Sequence, residues 1–201
     1  MADQLSLQLG LETIDSYKRL SYTPWHALAE FVDNSTQSFF NNHDAVKTVL
    51  AAKGDVFRVD VVYDRDNGRI RISDNAMGMD RSELEYALRV GARPAIQTGR
   101  SKFGMGLKTA ACWLGNTWSV RTKKLGETVE YEVTVDVPTI ASGENALPTE
   151  QRPDQPADEH YTILEIWNLN RPLHGRTLGK IKQFLRSMYR IDLSEGTLDL
   201  R

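Results

Sequence analysis

Apolar residues recur at helical spacing from Thr23 onward. At about 100° per residue, Trp25, Leu28, Phe31, Val32 and Phe39 share one face. Thr23 is placed as the N-cap and Pro24 at the first helical position, so the pattern predicts a helix over 24–42. The opposite face carries Glu30, Asp33, Asn34 and Gln37 as one stripe, which on an amphipathic helix is ordinarily the solvated side. Val56 to Asp66 then alternates as a strand, and Asn67-Gly68 signals a two-residue type I′ hairpin turn. The return strand is Arg69 to Asp74. Period two puts Ile70, Ile72 and Asp74 on one core-facing side, with Asp74 at the strand's end.

A second helix is predicted at about 80–90, with Asp80 as N-cap and Glu83 completing a capping-box pattern. Residues 91–106 are rich in glycine and basic side chains, and a short apolar helix follows from about 106 to 114, stopping at Gly115. Strands are expected at 117–124, 127–137 and 160–168. Between the last two lies a polar stretch, 138–158, whose Pro138, Pro148, Pro153 and Pro156 predict a surface excursion. Thr177 to Arg190 closes with a helix, and Gly196 to Arg201 reads as the start of another element.

Composition narrows the class. The 201 residues are 40% hydrophobic and 26% charged, values of a globular chain that buries its own core rather than a disordered tail. No apolar run approaches a membrane span. The start, Met1-Ala2-Asp3-Gln4, lacks a basic segment leading into an apolar one, which speaks against secretion. Cys112 is the single cysteine, and His26, His43, His160 and His174 have no partners at ligand spacing. These features favour a reducing compartment, cytoplasmic or, in a eukaryote, nuclear, and no structural metal site. Net charge is −2, but its distribution is uneven. Residues 81–125 hold 9 basic and 2 acidic side chains, while 126–170 hold 1 and 10. Such a basic segment in an acidic chain suggests a local anion site.

Three places carry polar groups that a ligand could use: the Glu30–Asp33–Asn34 stripe, which taken alone reads as the wet side of its helix, the core-side Asp74, and the glycine-rich segment. A core-side carboxylate is costly unless donors meet it. Asp74 either caps the turn that follows or awaits a ligand N–H. Glycines opening a helix let backbone N–H groups approach a phosphate. The common phosphate patterns fail here, since Met105-Gly106 follows Gly104 where a P-loop needs Lys-Ser/Thr. Thr109 stands where a dinucleotide fingerprint needs its third glycine.

Taken in order, the three features resemble the GHKL ATPases, the superfamily of gyrase B, the large heat-shock chaperones, MutL and histidine kinases. Its N box is similar to Glu30-Phe31-Val32-Asp33-Asn34, and its first glycine box to Asp74-Asn75-Ala76-Met77-Gly78-Met79. Its second glycine box resembles Phe103-Gly104-Met105-Gly106-Leu107-Lys108, and its closing strand resembles Tyr161 to Ile166. The resemblance runs from about Trp25 to Asn168. Within the superfamily it leans toward MORC-type ATPases and their prokaryotic relatives, through Pro24 to Glu30, Gly106-Leu107-Lys108 and Ile166-Trp167-Asn168-Leu169. Ala76 and Tyr161 stand where the family usually has glycine.

The resemblance implies an α/β fold, a two-layer sandwich of a mixed sheet and helices. It implies an arm at 1–22, an ATPase domain over 23–192 with a lid at about 91–106, and the start of a downstream domain at 193–201. Asp74 would accept from the adenine amino group, supported by Thr162, with Gly78 and Met79 against the purine. Asn34, beside Asp33, would offer its amide oxygen to Mg²⁺. Glu30 would activate the attacking water. Lys102, Phe103, Gly104, Met105, Gly106, Leu107 and Lys108 would hold the phosphates. The expected function is Mg-dependent ATP hydrolysis, slow in the isolated domain, by a dimerising conformational switch with a DNA-linked or defence-related role. The expected partners are ATP and ADP, a second copy of the chain, and a downstream transducer domain or partner protein. The alternative is a nucleotide-binding interaction module that does not hydrolyse. Phosphoryl transfer to a protein histidine is a weaker rival, as no histidine lies in an upstream helical dimerisation segment. Direct nucleic-acid contact is the least supported, since no aromatic residues interleave with the basic ones.

Overall fold

The computed structural model describes residues 13–89, 106–144 and 146–201. Most of the expected arm, the segment 90–105 and the residues Lys102, Phe103, Gly104 and Met105 lie outside the described residues. Among those described, seven strands form one mixed sheet in the order β5-β4-β3-β6-β2-β1-β7. These are β1 (Arg58–Asp64), β2 (Arg69–Asp74), β3 (Gly115–Lys123), β4 (Glu130–Asp136), β5 (Thr149–Arg152), β6 (Tyr161–Leu169) and β7 (Asp199–Leu200). Every pairing is antiparallel except that of β7 with β1.

The strand alternation explains the layering. Ile70, Ile72, Leu164, Ile166, Trp118, Val120, Val133 and Val135 all lie on one face and are buried. Against that face lie α2 (Pro24–Asn41), α5 (Gly106–Leu114) and α7 (Gly175–Met188), with Leu28, Phe31, Val32, Ala110, Ala111, Ile181 and Leu185 buried between the layers. Each large aliphatic side chain so buried contributes about 1.5–3 kcal/mol. The other face of the sheet is charged, with Arg69 and Arg71 reaching Glu165 at 3.6 and 3.9 Å across the strand register.

Smaller helices complete the chain: α1 (Thr13–Ser16), α3 (His43–Ala52), α4 (Arg81–Leu88), α6 (Val137–Ala141) and α8 (Arg190–Ser194). The helices expected at 24–42, 80–90 and 106–114 are present as α2, α4 and α5, and Asp80 and Glu83 form a full capping box on α4. The closing helix runs two residues earlier than its pattern suggests. Several local expectations are corrected. Thr23 is the N-cap of α2 by position, but its hydroxyl makes no cap bond and lies 2.9 Å from His26 Nδ1.

The β1–β2 hairpin is closed by four residues, 65–68, and not by a type I′ pair. Only Gly68 takes positive φ there, and the Asp64 carboxylate gathers the N–H groups of Asp66 and Asn67. The polar stretch 138–158 is not one excursion. Pro138 sits in the first turn of α6, where its missing N–H costs nothing, and β5 pairs with β4. Arg152 holds that edge by bonding Glu132 at 2.7 Å and Glu150 at 2.9 Å, and by reaching Glu130. Asp199–Leu200 adds to the β1 edge of the same sheet.

Candidate functional site

The site is built along α2. Ser35, on its second half, lies with its hydroxyl 2.6 Å from Asp74 Oδ2. Glu30, five residues earlier, meets the first residue of α5, and a β-carbon on Gly106 would collide with Glu30 Oε2. Five residues of helix span about 7.5 Å. One rigid element therefore ties together a carboxylate at the end of β2 and a carboxylate at the opening of α5. The polar stripe is not a wet face: Asp33 is buried, and Glu30, Asn34 and Gln37 are half-buried.

Asp74 stands at the end of β2 opposite Thr162 of β6. Its Oδ1 accepts from Ala76 N at 2.9 Å, and the Thr162 N–H also bonds the carboxylate. These donors and Ser35 hold the charge against desolvation only in part. Burial pushes its pKa up from 3.8 to about 6. Such a group is ionised at neutral pH and, with part of its surface still exposed, can accept from a ligand donor.

The loop after Asp74 is fixed residue by residue. Asn75 Oδ1 accepts from Arg58 N at 2.7 Å, and His160 Nδ1 lies 2.7 Å from Ala76 O. Met77 O accepts from Leu125 N at 3.0 Å, and Thr122 Oγ1 accepts from Met79 N at 2.9 Å. Gly78 has φ +72°, and a β-carbon there would run into the Lys123 carbonyl, so glycine is required. Ala76 is buried and takes no positive φ, so alanine fits where the family usually has glycine. Beneath the loop Lys123, fully buried, donates to the carbonyls of Lys124, Glu127 and Glu159 at 3.0, 2.7 and 2.8 Å. Thr162 faces this loop through its hydroxyl, 3.2 Å from Thr122 Oγ1. Tyr161 turns to the opposite side of β6 and reaches Glu130.

At the other end, Glu30 lines a cavity of about 270 Å³ with Ser21, Tyr22, His26, Ala29, Asp33 and Met188. Its pKa is raised, first by burial and then by the charge of Asp33; a long bond from the Tyr22 hydroxyl (3.4 Å) and His26 oppose this. Asn34 lies one turn beyond Glu30, and its amide makes no hydrogen bond among the described residues. Leu107 is packed against the core, and Lys108 is buried with Nζ donating to Ala87 O at 2.6 Å; burial lowers its pKa to about 8. A larger apolar hollow of about 790 Å³, between α7, α8 and the β1–β7 edge, lies away from both carboxylates.

This arrangement runs in the same order as a known family. Residues 22–162 match the model for histidine kinase-, DNA gyrase B- and HSP90-like ATPases, about 70% of the chain. The chain belongs to this family. A search of the curated proteins finds no match. In this GHKL chain the segment resembling the N box lies on α2, the one resembling the first glycine box is the pinned loop after β2, and the described part of the one resembling the second opens α5. Ser35, Thr122, Lys123, His160 and Tyr189, whose hydroxyl lies 2.8 Å from Asp33 Oδ1, support these segments and were missed by sequence reasoning. Ser35 follows the N box directly, and its alignment with Asp74 needed the fold. The others touch the site only through strand register or helix ends far along the chain. No helix among the described residues is long and apolar enough to cross a membrane.

Proposed function

We propose that this chain is a Mg-dependent ATP-hydrolysing head of the MORC type that closes and dimerises around its nucleotide. The observation that carries the reading is α2 itself, joining a purine-accepting carboxylate to a water-activating one. Asp74 would take the adenine amino group, with the Thr162 and Thr122 hydroxyls behind it and Gly78 and Met79 alongside. The residues present fit ATP: Asp74 keeps part of its surface exposed to accept from a base at one end, and α5 opens on backbone N–H groups that phosphates can meet at the other, while Gly78 and Gly106 let the loop and α5 close on Lys123 and Glu30.

They also fit Mg²⁺, which binds through one or two protein oxygens plus phosphates and water. No group of three or more His, Cys, Asp or Glu able to hold a metal occurs among the described residues, and the unengaged Asn34 amide supplies the single oxygen such a site requires. When bound, the ion neutralises phosphate charge. Glu30 orients the water and takes its proton, helped by burial and by Asp33, which raise its basicity. The α5 N-terminus presents backbone N–H groups to the phosphates. Lys102, Phe103, Gly104 and Met105 complete that cradle in this reading, with Lys108 adding charge beneath it.

The N-terminal arm at 1–22, a downstream transducer domain or partner protein beyond the strand Asp199–Leu200, and work on DNA or in defence belong to the same proposal. Calorimetric titration of Mg²⁺ with a non-hydrolysable ATP analogue tests the first half. Wild type should bind and Asp74→Asn should not. Glu30→Gln tests the second: binding should survive and turnover should vanish. Analogue binding with no turnover in any form would instead favour a nucleotide-gated interaction module.

A further inference from the structure

Tyr189 is the single residue between α7 and α8, and it is 1% exposed. Its hydroxyl lies 2.8 Å from Asp33 Oδ1 and 3.1 Å from the carbonyl oxygen of Ala29. Ala29 and Asp33 bracket the one turn of α2 that carries Glu30, and Asn34 follows at once. A side chain more than 150 positions along the chain thus grips the helix where water activation and metal binding are assigned. The larger hollow beside α7 offers no comparable contact with polar groups of the site.

We propose that Tyr189 is a positioning residue for the reaction: its hydroxyl fixes the Ala29–Asp33 turn and orients the Asp33 carboxylate relative to Glu30. This rests on reading Glu30 as the base. The groups facing Glu30 among the described residues are few. Tyr22 approaches from the segment before α2, and His26 and Asp33 lie on α2 itself. α5 meets it through Gly106, which brings no titratable side chain, and the α7–α8 joint reaches it through Tyr189 on Asp33. The Tyr189 hydroxyl fixes where the Asp33 carboxylate stands beside Glu30, and Tyr189→Phe removes that donor from both Asp33 and the Ala29 carbonyl.

The test is steady-state hydrolysis by wild type, Tyr189→Phe, Asp33→Asn and the double variant, with calorimetry of a non-hydrolysable ATP analogue alongside. Turnover in Tyr189→Phe should fall about tenfold at unchanged KM and unchanged analogue affinity. The Phe change should have no further effect on the residual turnover of Asp33→Asn. A fluorinated tyrosine at 189, which keeps the donor and the ring shape, should restore turnover and guards against a Phe variant that folds poorly. Turnover that ignores Tyr189→Phe, or falls equally in the Asp33→Asn background, would overturn the proposal. Turnover surviving Glu30→Gln would remove the base reading instead, whereas a dead Glu30→Gln beside a fully active Tyr189→Phe would remove only the role of Tyr189.

Discussion

Replacing Asp74 with asparagine should stabilise the protein while abolishing nucleotide binding. Burial raises the Asp74 carboxyl from 3.8 to about 6, so the folded state holds its proton through a range where the unfolded chain has lost it. Stability from this group is fully present below pH 3.8. It is lost as pH rises through about 6, because the folded state then binds more protons than the unfolded one. At about 1.4 kcal/mol per pH unit, the loss approaches about 3 kcal/mol at pH 8. Asparagine escapes it, and its neighbours can adapt. The amide oxygen accepts from Ala76 N as Oδ1 does now. Ser35 can turn its hydrogen to the Phe31 carbonyl, 3.1 Å away, and accept from the new NH₂. The variant should therefore gain about 1–3 kcal/mol at pH 8, or about 2–12 °C in Tm for a chain of this size. Urea unfolding of both forms from pH 4.5 to 8.5 isolates the term, since other titrations cancel in the difference. The wild type should fall behind the variant steadily between pH 4.5 and 7. A flat difference, or an asparagine variant less stable at pH 8, would refute the account of Asp74 as a charge held against its burial.

Other substitutions probe the remaining supports. Gly78→Ala meets both a positive φ and the Lys123 carbonyl, so it should cost about 2–4 kcal/mol in urea unfolding. Lys123→Met strips three carbonyls of one shared donor and should destabilise by about 3 kcal/mol; near-wild-type stability would show that water replaces the amine freely. Gly106→Ala drives a methyl against the Glu30 carboxylate, so it should reduce hydrolysis at least tenfold while leaving the protein's melting curve within a few degrees.

Local signals carried much of this fold. α2, α4 and α5 announced themselves through N-terminal proline, a capping box and a bounding glycine, and β2 through alternation that also put Asp74 on the inner face. Less legible were features set by distant partners. The sequence Thr149–Arg152 has no apolar alternation, because it is an exposed edge held by backbone pairing and by Arg152 on three glutamates. α3 has a helical pattern, but with only Val46 and Leu50 buried its apolar face is too narrow to stand out. The cleft side of α2 looked like a solvated stripe, since nothing local says that α5 and Tyr189 will cover it. Tyr189 itself carries no motif, and its meaning exists only once α7 lies beside α2.

The separation between Asp74's partner Ser35 and Glu30 is set by the backbone of one helix, not by the packing of two. In the proposed reaction α2 is therefore a ruler whose length does not vary with breathing of the side chains. Tilting or sliding it would displace Glu30 and the Ser35 hydroxyl together, so in that reading a push delivered through Tyr189 at the α7–α8 joint reaches the base and the support of the purine anchor in one movement. Selection on such a chain can adjust the grip at either end, but it can rescale the site only by rebuilding the helix.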